Sequence, residues 1–320
     1  MRVEHFPCDK GSKAVLSCWP VLYCMSSKVL GCSNTVVCDS DSDRCDIFNH
    51  PFYPQVRPTI FHGLLMVQPP KPDDWTERVL INYGMRAGIQ NKQEFFGVAD
   101  LPAPVIPSLA GFMTTEDREQ AADGETRKLL HYLDLVLDPQ IGQEAVVDNF
   151  AAKLLEKLGY DEGERIIFIQ RALPIVSSGV SYITQADVCV MDKDNQILLI
   201  LQTSLPSLKD PEPQIVVKAI AAYEANNKVR ATSLSLPPLS TITFPAISMI
   251  GTNIIFYKIT VTSGLSAAFQ QRRCPGWEDG GSLVRYVPVL PQRHGLGMRP
   301  LENRVEILAC MEAFKQFMGK

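Results

Sequence analysis

Residues 185–204 restrict the possible folds of this chain more than any other stretch. Asp187 leads into an apolar run at 188–191, a polar turn at 192–196 reverses the chain, and a second apolar run fills 197–201. Runs this short, broken by a turn of Asp, Lys and Asn, read as strands, because a helix needs roughly ten residues or more and spaces its apolar side chains by three and four. Neither run alternates with polar residues. Both faces are therefore expected to be covered, which makes these central strands of a sheet with helices above and below.

The flanking segments supply those helices and further strands. Residues 165–176 read as a strand weighted by Ile166, Phe168 and Ile169. Before it, residues 144–158 read as a helix with Val147, Phe150, Ala151, Leu154 and Leu158 on one stripe and Gly159 as its stop. Thr115 is the expected N-cap of an earlier helix with an acidic first turn, carried by Leu129, Leu130, Leu133, Val136 and Leu137. After Asp210-Pro211-Glu212-Pro213, residues 214–227 form a helix whose first turn tolerates Pro213 because no donor is needed there. Residues 245–249 and 254–262 suggest another hairpin, 284–290 another strand, and 301–318 an amphipathic helix through Val305, Leu308, Cys310, Met311, Phe314 and Phe317. The order helix, strand, strand, strand, helix, strand, strand predicts an α/β protein with a mixed central sheet flanked by helices.

The chain divides in texture. Cys8, Cys18, Cys24, Cys32, Cys38 and Cys45 crowd its beginning, six prolines fall within 51–72, and Pro102, Pro104 and Pro107 close the region. Residues 1–110 are expected to form a poorly ordered Cys/Pro-rich N-terminal extension with one strand-like piece near 78–83, and residues 111–320 the folded domain. No pair of cysteines is spaced CxxC and only His5 and His50 lie nearby, so reduced thiols fit better than a zinc tetrahedron or a disulfide framework. Residues 14–25 resemble a signal h-region but contain Cys18, Pro20 and Cys24, lack a clear cleavage site, and are too short to span a bilayer. The expectation is an intracellular protein, cytoplasmic or nuclear, not secreted and without a membrane partner. A net charge of -4 argues against nucleic-acid binding through bulk charge. A local footprint remains in Arg272, Arg273, Arg285, Arg293, His294, Arg299 and Arg304, which outnumber the three acids between 270 and 304. No phosphate-binding GxxxxGK or GxGxxG run and no Ser-His-Asp arrangement occurs.

The element order, with an acid at the head of the second strand, resembles the restriction-endonuclease-like fold of the PD-(D/E)XK nucleases. Residues 112–320 are also similar to a group of uncharacterised fungal proteins of basidiomycetes. The similar pieces are Val147-Asp148-Asn149-Phe150-Ala151, Ala186-Asp187-Val188-Cys189, Asp210-Pro211-Glu212-Pro213-Gln214, Ala219-Ile220-Ala221-Ala222-Tyr223, Phe256-Tyr257-Lys258-Ile259, Met298-Arg299-Pro300-Leu301 and Glu312-Ala313-Phe314-Lys315-Gln316-Phe317. In such nucleases a strand aspartate and a glutamate on the next strand hold magnesium, which activates water, and a lysine two residues on faces the same side. A helix acid often completes the set. The resemblance assigns Asp187 as the metal-binding aspartate and Glu144 as the helix acid, ahead of Glu156.

The second-strand motif is lost. Where the fungal relatives run Val-Gln-Glu-Asp-Lys, this chain has Leu201-Gln202-Thr203-Ser204-Leu205, so Gln202 is kept while the glutamate is Thr203 and the lysine is Leu205. One acid–base group is worth about 10² to 10⁴ in rate, so the resemblance implies a degenerate site of Asp187, Glu144, Gln202 and Lys218 with no resident cofactor. Lys218 is expected to be a solvated helix lysine, and Gln214 a satisfied interfacial amide. The resulting expectation is a nuclease-like binding or interaction module, with nucleic acid contacted by Arg272, Arg273, Arg285 and Arg299. The alternatives are a working magnesium nuclease that uses Asp187, Glu144 or Glu212, and Lys218, and a structural or regulatory partner of another protein.

Overall fold

The computed structural model describes residues 75–85, 87–143, 145–206, 210–273, 275 and 280–319. Across them a seven-stranded mixed sheet is built from β1 (Ala87–Ile89), β2 (Ile166–Ser177), β3 (Val180–Met191), β4 (Ile197–Ser204), β5 (Thr241–Ile250), β6 (Asn253–Thr262) and β7 (Ser282–Tyr286). Its spatial order is β1-β7-β6-β5-β4-β3-β2. Only β1 with β7 and β4 with β5 run parallel; the other neighbours are antiparallel. The α/β class and the helix-flanked mixed sheet read from the sequence are thus present.

Helices cover both faces. On one lie α2 (Lys92–Phe96), α3 (Ala110–Thr114), α4 (Gly124–Leu137), α5 (Val146–Lys157) and α8 (Leu301–Phe314), packed on Val188, Val190, Leu199 and Leu201. On the other lie α1 (Glu77–Asn82), α6 (Glu212–Thr232) and α7 (Ser263–Gln271), packed on Cys189, Met191, Ile197 and Ile200. Alternate residues of the two central strands feed opposite cores, which is why neither run shows a polar side. Burying one such Val, Leu or Ile stabilises by about 1.5–3 kcal/mol. No described helix is long and apolar enough to cross a membrane.

Local chemistry fixes the connections that position the site. Asp192 makes the central turn: its Oδ1 accepts from the amides of Asp194 and Gln196 at 2.9 and 2.8 Å, and Asn195 takes a φ of +62° that asparagine tolerates. Asn226 of α6 then grips the start of β4 as another strand would, accepting from the Ile197 amide at 2.7 Å and donating to its carbonyl at 2.9 Å. Helix α6 is the crossover between parallel strands β4 and β5. Within β5, Pro245 lacks an amide hydrogen, and the ladder to β4 begins one residue later, at Ala246 opposite Ile200.

Several boundaries differ from the sequence reading. The strand-like piece near 78–83 is helix α1, opened by Glu77, with Leu80 buried and Tyr83 stacked on Trp75 at 5.3 Å. Residues 87–89 form an edge strand, and Phe95 and Phe96 enter the core, so residues 75–110, placed in the extension, are integral to the sheet and its covering layer. Prolines 102, 104 and 107 punctuate the connection into α3 rather than a linker. Thr115 ends α3; the α4 cap is Asp123, whose side chain accepts from the Thr126 amide at 2.8 Å. The strand expected over 284–290 stops at Tyr286, just before Pro288. The crowded cysteines, the prolines of 51–72 and the signal-like stretch lie outside the described residues.

Arg304, counted in the basic footprint, is fully buried in α8. It donates to the carbonyls of Phe112, Thr115, Met298 and Arg299 at 2.6 to 3.2 Å and lies over the Phe112 ring at 4.5 Å. Desolvation pushes its pKa down to about 10. It is a structural tie between α3, the chain after it and the approach to α8, not a surface cation.

Candidate site at the fork of two strands

The β3–β4 ladder ends at Val188 opposite Leu201, although both strands continue. Beyond that pair β4 stays with β5 as far as Ser204, while β3 stays with β2. The two strands part, and a side chain bridges the fork. Asp187 Oδ2 accepts from the Thr203 amide at 2.8 Å, so a carboxylate replaces the main-chain partner that β3 no longer provides.

Three further elements converge there. From α6, Lys218 sends its ammonium to both Asp187 oxygens, at 3.1 and 3.0 Å, with its side chain 9% exposed and that of Asp187 23% exposed. From α5, Asp148 accepts from the Thr203 hydroxyl, which also lies 3.4 Å from Asp187 Oδ2. From β2, Gln170 stands near enough to Asp148 to act on its titration. Gln170 faces Asp187 across an otherwise regular register, and its φ of +57° takes that one pair out of the ladder. A left-handed glutamine inside a strand is strained by about 1–3 kcal/mol, and such strain gathers at functional sites.

Burial is the main reason the Asp148 carboxyl titrates above its ordinary value, with the nearby Asp187 charge adding to it; the bond from Thr203 and the nearby Gln170 side chain oppose the rise. Between the ordinary and the raised pKa the folded chain holds this proton more tightly than the unfolded one. Asp148 therefore favours folding in acid, and that contribution is lost as pH rises through the raised value. Asp148→Asn keeps an acceptor for Thr203 and removes the charge. Its melting midpoint is expected to exceed that of the parent at neutral pH, with the difference shrinking as pH falls through the carboxylate range. A scan in which the difference is constant with pH refutes this.

The residues named from the sequence distribute unevenly. Asp187 and Lys218 meet, and Lys218 is a buried ion-pair partner rather than a solvated lysine: α6 is covered on most of its circumference, so its stem is buried while its ammonium is paired. Asp187 lies within β3 rather than at its head, because residues 180–186 extend the strand with polar alternation that a search for apolar runs overlooks. Gln202 points to the α6 face, donating to Gln214 Oε1 at 3.2 Å, while its own Oε1 is buried without a partner. Glu144 lies outside the described residues. Glu156 is about half exposed and pairs with Lys153. Glu212 belongs elsewhere, pairing with Arg285 Nη1 at 2.5 Å. That pairing leaves Arg285 with little free charge for a nucleic acid. Arg272 ends α7 in a left-handed conformation, Arg273 is exposed, and Arg293, His294 and Arg299 are exposed on the connection into α8.

Asp148 and Gln170 were missed. Asp148 stands one residue from the buried Val147 and shares a helix face with Ala151 and Leu155, so an acid bordering the apolar stripe was the available signal. Nothing in the sequence around Gln170 announces a positive φ.

The described donors fit magnesium poorly. Among the described residues no group of three or more His, Cys, Asp or Glu side chains is placed to hold a metal. The two carboxylates that do approach each other are joined through Thr203, and the Lys218 ammonium stands where a cation would bind Asp187. What this arrangement does is neutralise an acid and brace a strand fork. No protein-family model matches the chain, and no curated protein matches it.

Proposed function

We propose that this protein is a catalytically silent relative of the restriction-endonuclease-like nucleases that acts by binding. The observation that carries the reading is the occupation of Asp187: both its oxygens are taken by Lys218, one also by the Thr203 amide, and the neighbouring strand offers a hydroxyl instead of a second carboxylate. A divalent ion has to displace an internal ammonium and then finds, among the described residues, too few hard ligands to repay its own dehydration. The helix, three-strand meander, crossover helix and following strands support the fold assignment. Of the basic footprint, Arg272, Arg273, Arg293 and Arg299 are left to meet a nucleic acid; Arg285 and Arg304 are committed within the protein.

A second reading has one observation in its favour. Asp148, Asp187 and Lys218 gather at one point, and two carboxylates with a lysine are the groups a magnesium-dependent nuclease uses.

Supercoiled DNA, single-stranded DNA and RNA incubated with the protein in magnesium and then manganese separate the two. The expected result is no cleavage, with binding that weakens as salt rises and with Arg299→Ala lowering the salt slope by about one. Cleavage that Asp187→Ala abolishes overturns the silent-site reading. Neither cleavage nor salt-dependent binding overturns the nucleic-acid part and leaves a protein-interaction module.

A further inference from the structure

Beyond the fork, β2 and β3 run on as a two-stranded arm. No described strand pairs with the outer edge of β2, nor with the edge of β3 that faces away from β2 before Val188. One face of the arm is anchored: Leu173, Ile175, Ser177 and Thr184 are buried, Ser177 Oγ donates to the Phe269 carbonyl at 3.3 Å, and the Ser178 amide donates to the Gln270 carbonyl at 2.7 Å. On the opposite face the described side chains are exposed. Pro174 stands across from Ile183, and Val176 across from Ser181; Ile183 is 73% exposed and Val176 is 42% exposed.

The composition of this arm is as unusual as its exposure. Residues 172–186 contain no Asp, Glu, Lys, Arg or His. Exposed sheet margins are ordinarily protected by charge, and lysine above all. A nucleic acid needs cations to meet it, and a partner with a charged patch finds nothing here to match. A neutral apolar face is, however, complementary to itself, with no like-charge repulsion when two copies meet about a two-fold axis. Pro174 removes an amide donor from β2 and Gln170 distorts it, which blunts pairing along the edge and directs the contact to the face.

We propose that the exposed face of this arm, centred on Pro174, Val176 and Ile183, is the seat of a second copy of this chain. The inference is independent of how the fork is read. A standard interface takes about 800 Å² from each partner, so a face centred on three side chains is expected to pair in a concentration-dependent equilibrium rather than as an obligate unit.

Sedimentation velocity of the full-length chain over a wide concentration range tests it. The expected result is a monomer–dimer equilibrium that Ile183→Glu and Val176→Glu each weaken by about tenfold or more. Val105→Glu, at an apolar residue that is 89% exposed outside the arm, leaves the equilibrium unchanged. Circular dichroism of each variant reports that it is folded. A monomer at every concentration overturns the proposal, as does a dimer insensitive to Ile183→Glu or equally sensitive to Val105→Glu.

Discussion

Asp187→Ala is expected to lower the unfolding free energy by about 3 kcal/mol, read as a reduced urea midpoint at unchanged slope. The change strands a buried ammonium on α6 and deprives the Thr203 amide of its acceptor at the point where β3 and β4 separate. Pairing it with Lys218→Met removes the stranded charge. The double variant is expected to regain more than half of the loss, because replacing both partners of a buried pair by apolar atoms costs far less than removing one. Equal stability of the single and double variants sinks this account of the fork. The prediction also distinguishes a brace from a working metal seat: a carboxylate kept for an absent cation is freed of repulsion when it is removed, whereas this one is already matched.

Arg304→Met is expected to cost about 3–5 kcal/mol, a loss as large as any single substitution in the chain should produce. Methionine fills the volume over the Phe112 ring but supplies no donors, leaving the carbonyls of Phe112, Thr115, Met298 and Arg299 short of hydrogen bonds in a dry environment. Arg304→Lys is expected to recover little. One ammonium cannot reach acceptors that the planar guanidinium spans from three nitrogens. Thermal melts of the two variants give the comparison; a lysine variant close to the parent would show that charge, not the spread of donors, holds this junction.

The central hairpin, the long crossover helix and the last helix were legible because each writes its burial in a short local pattern. Residues 188–191 and 197–201 are apolar on every position, and Asp192 with Asn195 spells the turn between them. Helix α1 was misread because six residues with three apolar ones fit a strand and a helix equally well; the stacking of Trp75 on Tyr83 decides between them, and it depends on the folded chain. Residues 75–110 read as part of the extension for a related reason. Prolines mark loops without saying whether the loops connect core elements, and those of 102–107 do.

At the site, Asp187 stood out through its position before an apolar run, but its partner did not. Lys218 lies on α6 among residues buried on most sides, so no polar stripe distinguishes an inward lysine from an outward one. Asp148 comes to the fork only because α5 crosses the sheet there, and that crossing angle belongs to tertiary packing. Gln170 depends on a single backbone torsion. Arg285 and Arg304 show the opposite error, in which a cluster in sequence was counted as a cluster on the surface: one is matched by Glu212 and the other is enclosed.

The carboxylate that closes the fork gives the molecule an internal reporter. The Thr203 amide proton rests on Asp187 Oδ2 rather than on a carbonyl, so its nuclear magnetic resonance frequency follows the charge and position of that oxygen. Anything that draws Lys218 away, whether a metal ion, a phosphate or a docking protein, registers first as a displacement of this one resonance.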